Sequence, residues 1–221
     1  MKLNVTSYST LVFDCDGVVL DSNKVKTESF YRAALPYGER AADELVEYHV
    51  KNGGVSRYKK FSYFLDHIVK KPSEIALKRL LDDYGANVWD GLNSCSIAPN
   101  LERLRNKTPD ARWLIVSGGA QSELREIFKM RGLSGWFNGG IFGSPDTKEE
   151  ILSRELECGN IVRPALFIGD SKYDFEAAKS VSLDFVFLSG WSEVKDWESW
   201  VAENSICATR NMESLTSLER E

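Results

Sequence analysis

Short apolar runs without strict alternation constrain this chain most. Five of them, Thr10–Phe13, Trp113–Val116, Gly140–Phe142, Ala165–Ile168 and Phe185–Leu188, read as strands. Apolar character on both faces is the mark of strands buried inside a parallel sheet. Helical segments separate several of them. Gln121–Met130 carries Leu124, Ile127 and Phe128, and Thr147–Leu156 carries Ile151, Leu152 and Leu156 at helical spacing. Strand, helix, strand in repetition predicts an α/β fold, a Rossmann-like parallel sheet flanked by helices with right-handed crossovers. A last short run, Ile206–Ala208, is expected to add an edge strand.

From Asn23 to about Val88 the alternation stops. The segments "KVKTESFYRAAL", "AADELVEYHVKN", "SRYKKFSYFLDHIV" and "PSEIALKRLLDDYG" all read as helix, punctuated by Gly53–Gly54 and Pro72. We therefore expect an α/β core from residues 1–21 and 92–221, with residues 22–91 inserted as a helical cap domain over the end of the sheet. A length of 221 residues suits one domain with such an insertion.

Composition excludes several function classes. With 43% hydrophobic and 28% charged residues the chain can build a sizeable core. A net charge of −5 with no basic stripe argues against a nucleic-acid partner. Lys59, Lys60, Lys70 and Lys71 read as a solvated helix face. The cysteines, Cys15, Cys95, Cys158 and Cys207, form no CxxC pair and read as reduced thiols of a cytoplasmic protein. The first ten residues lack the apolar run of a signal peptide, and no run approaches the ~20 residues needed to cross a bilayer, so no membrane partner is expected. No P-loop pattern occurs, and no glycine pair belongs to a G-x-G-x-x-G after a strand. Nothing in the sequence fixes an oligomeric state.

Ligands of open α/β sheets bind beyond the carboxyl ends of the strands. After the first run stand Asp14 and Asp16, after the second Ser117 and Gly118, and after the fourth Gly169 and Asp170, with Asp174 one helical turn on. "SPDTK" places Lys148 in the first turn of another helix. If those strands are neighbours, their tips gather carboxylates, a hydroxyl and one amine. Clustered carboxylates are tolerable only with a cation between them. All-oxygen ligands suit Mg²⁺, and Mg²⁺ with a lysine and N–H donors suits a phosphoryl group. Residues two apart in extended chain point the same way, so Asp14 and Asp16 can address one substrate. One can attack phosphorus and the other can move the proton of the leaving oxygen and of water. Gly17 frees the backbone for a sharp exit.

These residues resemble the haloacid dehalogenase superfamily of phosphohydrolases. "DCDGVVLDS" matches its DxDGxxxDS motif, Ser117 in "LIVSGG" its Ser or Thr after a strand, Lys148 its lysine, and "GDSKYD" its GDxxxD. The order agrees over residues 10 to 190, and the helical insert resembles the cap of phosphoglycolate-phosphatase-like and β-phosphoglucomutase-like members. The resemblance implies that Asp14 is nucleophile and metal ligand. It implies that Asp16 is the general acid/base and gives its backbone carbonyl to Mg²⁺. Ser117 and the Gly118 N–H would hold phosphoryl oxygens, Lys148 would neutralise charge, and Asp170 would bind the metal. Asp174 would bind it directly or through water. "GGVSR" resembles a β-phosphoglucomutase-like cap loop, which would bring Arg57 to the substrate, whereas Lys26 stands where mutase-like members carry a histidine.

Plainer readings stand beside these. Asp14 and Asp16 as a polar strand end, Asp170 or Ser117 as helix caps, and Lys148 or Arg57 as surface cations are each compatible with the local sequence. Cys15 is expected to face away from the aspartates as a packing thiol, His49 and His67 to be core or surface histidines, and Trp197 and Trp200 to pack on the core. Taken together, the sequence predicts a Mg²⁺-dependent phosphatase of a small phosphorylated metabolite, a sugar phosphate or phospho-acid, acting through an aspartyl phosphate. A phosphomutase and a non-catalytic phosphometabolite-binding module are the alternatives.

Overall fold

In the computed structural model, which describes residues 3–217, six parallel strands form one sheet. They are β1 (Thr10–Phe13), β2 (Arg112–Ala120), β3 (Gly140–Ser144), β4 (Ala165–Gly169), β5 (Asp184–Leu188) and β6 (Cys207–Thr209). Their order is β3-β2-β1-β4-β5-β6, so β1 lies at the centre between β2 and β4. All six expected strands are present, including the edge strand.

The missing alternation has a direct cause. Leu11 and Phe13 join one apolar cluster with Trp113, Ile115, Leu166 and Ile168, while Val12 joins another with Leu114, Val116 and Phe167. Helices α5 (Leu101–Lys107), α6 (Gln121–Met130) and α10 (Met212–Ser217) contribute to the first cluster, and α7 (Lys148–Glu157) and α8 (Lys172–Ser180) to the second. Both faces of the sheet are therefore covered, as a parallel sheet requires. Trp197 and Trp200, on the short helix α9 (Trp197–Glu203), are half-buried and lie with their ring centroids 5.7 and 5.4 Å from that of Phe187.

Strand β2 extends four residues past the expected Val116. Its tip stays extended because Gly119 and Gly143 lack side chains. A Cβ on Gly143 would sit 2.3 Å from the Gly119 carbonyl oxygen. Ser117 is thus inside a strand, and Ala120 stands at the start of α6, which corrects the reading of Ser117 as a helix cap.

Between β1 and β2 the chain is helical: α1 (Asn23–Ala34), α2 (Glu39–Lys51), α3 (Arg57–Tyr63) and α4 (Glu74–Ser94), with α4 running past the Val88 at which its pattern fades. Helix α1 packs on α2 and α4. Phe30, Phe61 and Tyr84 form their aromatic centre, with ring centroids 4.5 to 5.8 Å apart. Lys60 belongs to this interior. It is 2% exposed, which overturns its assignment to a solvated face, whereas Lys59, Lys70 and Lys71 are exposed as expected. No described helix is long and apolar enough to cross a membrane.

Candidate active site

Strand β1 stops being a strand at Phe13, yet the Asp14 N–H still bonds to the Ile168 carbonyl at 2.9 Å. The carboxylate at the strand tip is thereby fixed against β4. Asp14 Oδ1 accepts the Cys15 N–H at 2.7 Å and lies 2.9 Å from Lys148 Nζ. Lys148 is the first residue of α7, after a Thr147–Glu150 capping box that fixes where the helix begins. Its amine also bonds Asp174 Oδ1 at 2.5 Å. Asp174 Oδ2 in turn accepts the Ser171 hydroxyl at 2.7 Å and the Ser171 N–H at 3.0 Å. The cap of α8 is therefore Ser171 and not Asp170. Asp170 instead accepts Asn23 Nδ2 at 2.7 Å, across from α1.

One carboxylate oxygen each from Asp14, Asp170 and Asp174 lies within 4.8 Å of the others, and all three residues are buried. Lys148 alone among the described cations bonds to this trio. Burial, chiefly, and the neighbouring carboxylates push the Asp170 carboxyl well above its ordinary value. Burial also pushes Asp14 up, to about 7, against the pull of Lys148 and with the help of Asp174 and Asp16. Three acids against one amine in a dry site is a charge imbalance that an oxygen-seeking divalent cation would remove, so the residues fit Mg²⁺.

The Asp16 carboxylate stands apart from that trio. It is bonded by Lys26 Nζ and by the Ser22 hydroxyl at 2.6 Å. Burial alone would raise its carboxyl, but Lys26 and Ser22 hold it below the ordinary range. Between the two aspartates, Cys15 is fully buried in the core. Gly17 turns the chain with φ +72°, and a Cβ there would fall 2.0 Å from Asp170 Oδ2. The turn and the carboxylate cluster thus require glycine at this position.

Helices from the insert close over the tips. A Cβ on Gly118 would lie 2.1 Å from the Gly54 carbonyl oxygen, so the Gly53–Gly54 turn rests directly on the end of β2. Ser117 is buried with its Oγ accepting the Gly119 N–H at 3.1 Å. Arg57 is neither a surface cation nor an unpaired one. It is buried, bonds Glu123 of α6 at 2.8 Å and lies 4.8 Å from the Tyr84 ring centre. It fastens the insert to the core while lining the cavity beneath.

That cavity is bounded by Asp14, Asp16, Gly118 and Asp170 on the core side and by Arg57, Lys60 and His49 on the other. Its free volume is ≈ 60 Å³, room for a few water-sized groups. Asn23, His49, Lys60, Tyr84 and Glu193 also face it and were not among the expected site residues. His67 is exposed.

A family model described as a haloacid dehalogenase-like hydrolase matches residues 8–182. A curated protein of Thermotoga maritima, named a phosphorylated carbohydrates phosphatase, is 25% identical over 186 residues, 80% of this chain and 83% of that one. Among solved structures, a predicted phosphatase from Clostridium acetobutylicum superposes with a TM-score of 0.74 at 19% identity, over 95% of this chain and 97% of that one. A predicted phosphoglycolate phosphatase from Haemophilus somnus does so with a TM-score of 0.66 at 18% identity, over 84% and 87%. These structural likenesses establish a shared fold.

Proposed function

The chain belongs to the haloacid dehalogenase-like hydrolases, and from that membership we propose that it is a Mg²⁺-dependent phosphatase of small phosphorylated metabolites. One observation carries the reading. A buried carboxylate at the centre of the sheet is held against a lysine, within a carboxylate cluster, beneath the helices of the insert.

In this reading Asp14 attacks phosphorus. The bond to the ester oxygen breaks, and Asp16, which must carry a proton at this step against the pull of Lys26, delivers it to that leaving oxygen. A water molecule then attacks the aspartyl phosphate. Asp16 accepts the proton of that water, the acyl phosphate P–O bond breaks, and inorganic phosphate leaves with Asp14 regenerated. Ser117 and the Gly118 N–H are assigned to the phosphoryl oxygens, and Lys148 to charge on Asp14 and the phosphate. Asp14, Asp170 and the Asp16 backbone carbonyl, with Asp174 directly or through water, would hold a Mg²⁺ ion, which would supply positive charge to the transferring group. Residues 22–91 act as a cap, and substrate entry requires them to swing away from Gly118. The curated relative's name supports phosphorylated carbohydrates as one substrate class.

The test is free phosphate release across phosphorylated sugars, sugar acids and small organic acids, with Mg²⁺ and with EDTA. Release on at least one compound should fall about 100-fold or more in EDTA and return with added Mg²⁺. Release that ignores EDTA would overturn the metal assignment. Isomerised sugar phosphate without free phosphate would replace the phosphatase with a mutase.

A second expected result concerns Lys26. Lys26→Met removes the cation that holds the Asp16 carboxyl down, leaving burial to raise it. A carboxyl with a raised pKa keeps its proton to higher pH. The limb of kcat/KM against pH that reports Asp16 ionisation should therefore move upward by about one unit or more. An unmoved limb would remove Asp16 from proton transfer.

A further inference from the structure

The start of α1 gives up its own capping. Ser22, at the N-cap, makes no side-chain bond to the helix, and its hydroxyl goes to Asp16 instead. A serine there ordinarily closes the helix on its own N–H groups. The next residue, Asn23, also turns to the core. Its Nδ2 donates to Asp170 Oδ2 at 2.7 Å and to the Trp191 carbonyl oxygen at 2.8 Å. Both partners are acceptors, so the amide nitrogen must face them, and both of its hydrogens are spent. One turn on, Lys26 bonds Asp16, and the Thr27 hydroxyl lies 3.1 and 3.2 Å from the Glu193 oxygens. One face of α1, at spacings i, i+3 and i+4, therefore meets three core carboxylates. A helix start that leaves its first turn uncapped to reach such groups is a local compromise of the kind that function imposes.

Resting on the Mg²⁺ reading, we propose that Asn23 is a positioning residue of the metal site, which holds the Asp170 carboxylate in place and thereby sets the affinity for the ion. Of the three clustered carboxylates, Asp14 and Asp174 are each held by Lys148 and by a nearby backbone N–H. Among the described residues the Asp170 carboxylate is bonded by Asn23 alone. The bond takes Oδ2 and leaves Oδ1 for a cation. Asn23 acts through Asp170 and not as a ligand, because its N–H groups face the acceptors. The far end of the clamp is firm as well. Ser192, beside Trp191, donates its hydroxyl to the Asp170 carbonyl oxygen at 2.5 Å and accepts the Val194 N–H at 3.1 Å. The Ser189 and Gly190 N–H groups bond the Thr209 and Arg210 carbonyls at 3.0 and 2.8 Å. Asp170 is thus gripped at its main chain by the loop after β5, and at its side chain by an amide tied to the same loop. Gly17 closes the remaining space, since a Cβ there would lie 2.5 Å from Asn23 Nδ2. The metal site thereby draws one part from the insert as well as from the strand tips.

The experiment titrates the metal-free chain with Mn²⁺, an ion of similar oxygen preference, follows the free ion by EPR, and then displaces it with Mg²⁺. Asn23→Leu keeps the volume of the side chain and removes both donors. It should weaken the binding of both ions about 10–100-fold. The Mg²⁺ concentration that gives half-maximal phosphate release should rise by the same factor. Asn23→Ser serves if Asn23→Leu fails to fold, because its single donor cannot hold two acceptors, and it should weaken binding in the same direction. Thr27→Val removes the neighbouring bond between α1 and the same loop without touching Asp170, and it should leave both affinities unchanged. Equal affinities in the parent chain and the folded Asn23 variants overturn the proposal. An equal loss in Thr27→Val overturns it too, since the docking of α1 as a whole would then hold the site. An intact chain that binds neither ion overturns the metal reading itself, and the role of Asn23 falls with it.

Discussion

Phosphate release should fall by at least about 10⁴-fold when Asp14 is replaced by Asn, with the fold intact. An amide has no lone pair basic enough to attack phosphorus, so the loss should appear in kcat and not only in KM. The exchange is otherwise gentle. Asn can keep an oxygen where the Cys15 N–H and Lys148 Nζ now meet Asp14 Oδ1. Stability in metal-free buffer should hold or rise. The Asp14 carboxyl is pushed up to about 7, chiefly by burial, so the folded chain binds a proton there more readily than the unfolded chain. Such a group costs stability as pH rises through 7 and costs nothing once pH falls below the unfolded value. Any gain in melting temperature should therefore be largest near pH 8 and vanish toward pH 4. The rise in melting temperature on adding Mg²⁺ should shrink in the same variant, because one ligand is gone. Turnover equal to the parent chain would end the assignment of Asp14 as nucleophile.

Such a prediction is available because Asp14 lies where a strand pattern ends, and strand ends are local. Val12 and Phe13 are apolar on both faces because helices cover both faces, and that is visible in four residues of sequence. The chain positions of Asp170 and Lys148 relative to their strand and helix are local in the same way. What was not legible depends on partners far along the chain. Lys60 sits in "RYKKF", which by itself is a polar helix, and only packing against His49 and Phe30 buries it. Arg57 reads as a loop cation until α6 brings Glu123 to it. Asn23 reads as a helix start, and its bond to Asp170 spans 147 residues. The sheet tip was therefore readable from motifs, whereas the roof, whose residues gain their roles only from tertiary contact, was not.

Lys148 carries the other large effect, because it is the amine on which the carboxylate cluster depends. It is fully buried, and although burial alone would lower its amine, Asp14 and Asp174 raise it far above the ordinary value. Lys148→Met keeps the length of the side chain and removes the charge. The three buried acids then face one another with nothing between them. Removing one partner of a buried ion pair costs about 3–5 kcal/mol, which in a chain of this size lowers the melting temperature by roughly 10 °C. The loss has a sign with pH. Without the amine, which now pulls the Asp14 and Asp170 carboxyls down, those two take up protons at still higher pH in the folded chain, so the variant's deficit should be largest above pH 7 and shrink as the medium is acidified. Mg²⁺ should recover part of the deficit, because a divalent cation in the cluster replaces charge that the lysine supplied. Activity should not recover with it. In the proposed mechanism the amine also neutralises the transferring group, and loss of one such charge in a water-poor site lowers kcat by about 10²–10³-fold. Thermal melts at pH 5 and pH 8, each with Mg²⁺ and with EDTA, separate the two roles. A deficit independent of both pH and metal would mean that Lys148 supports the fold by packing alone.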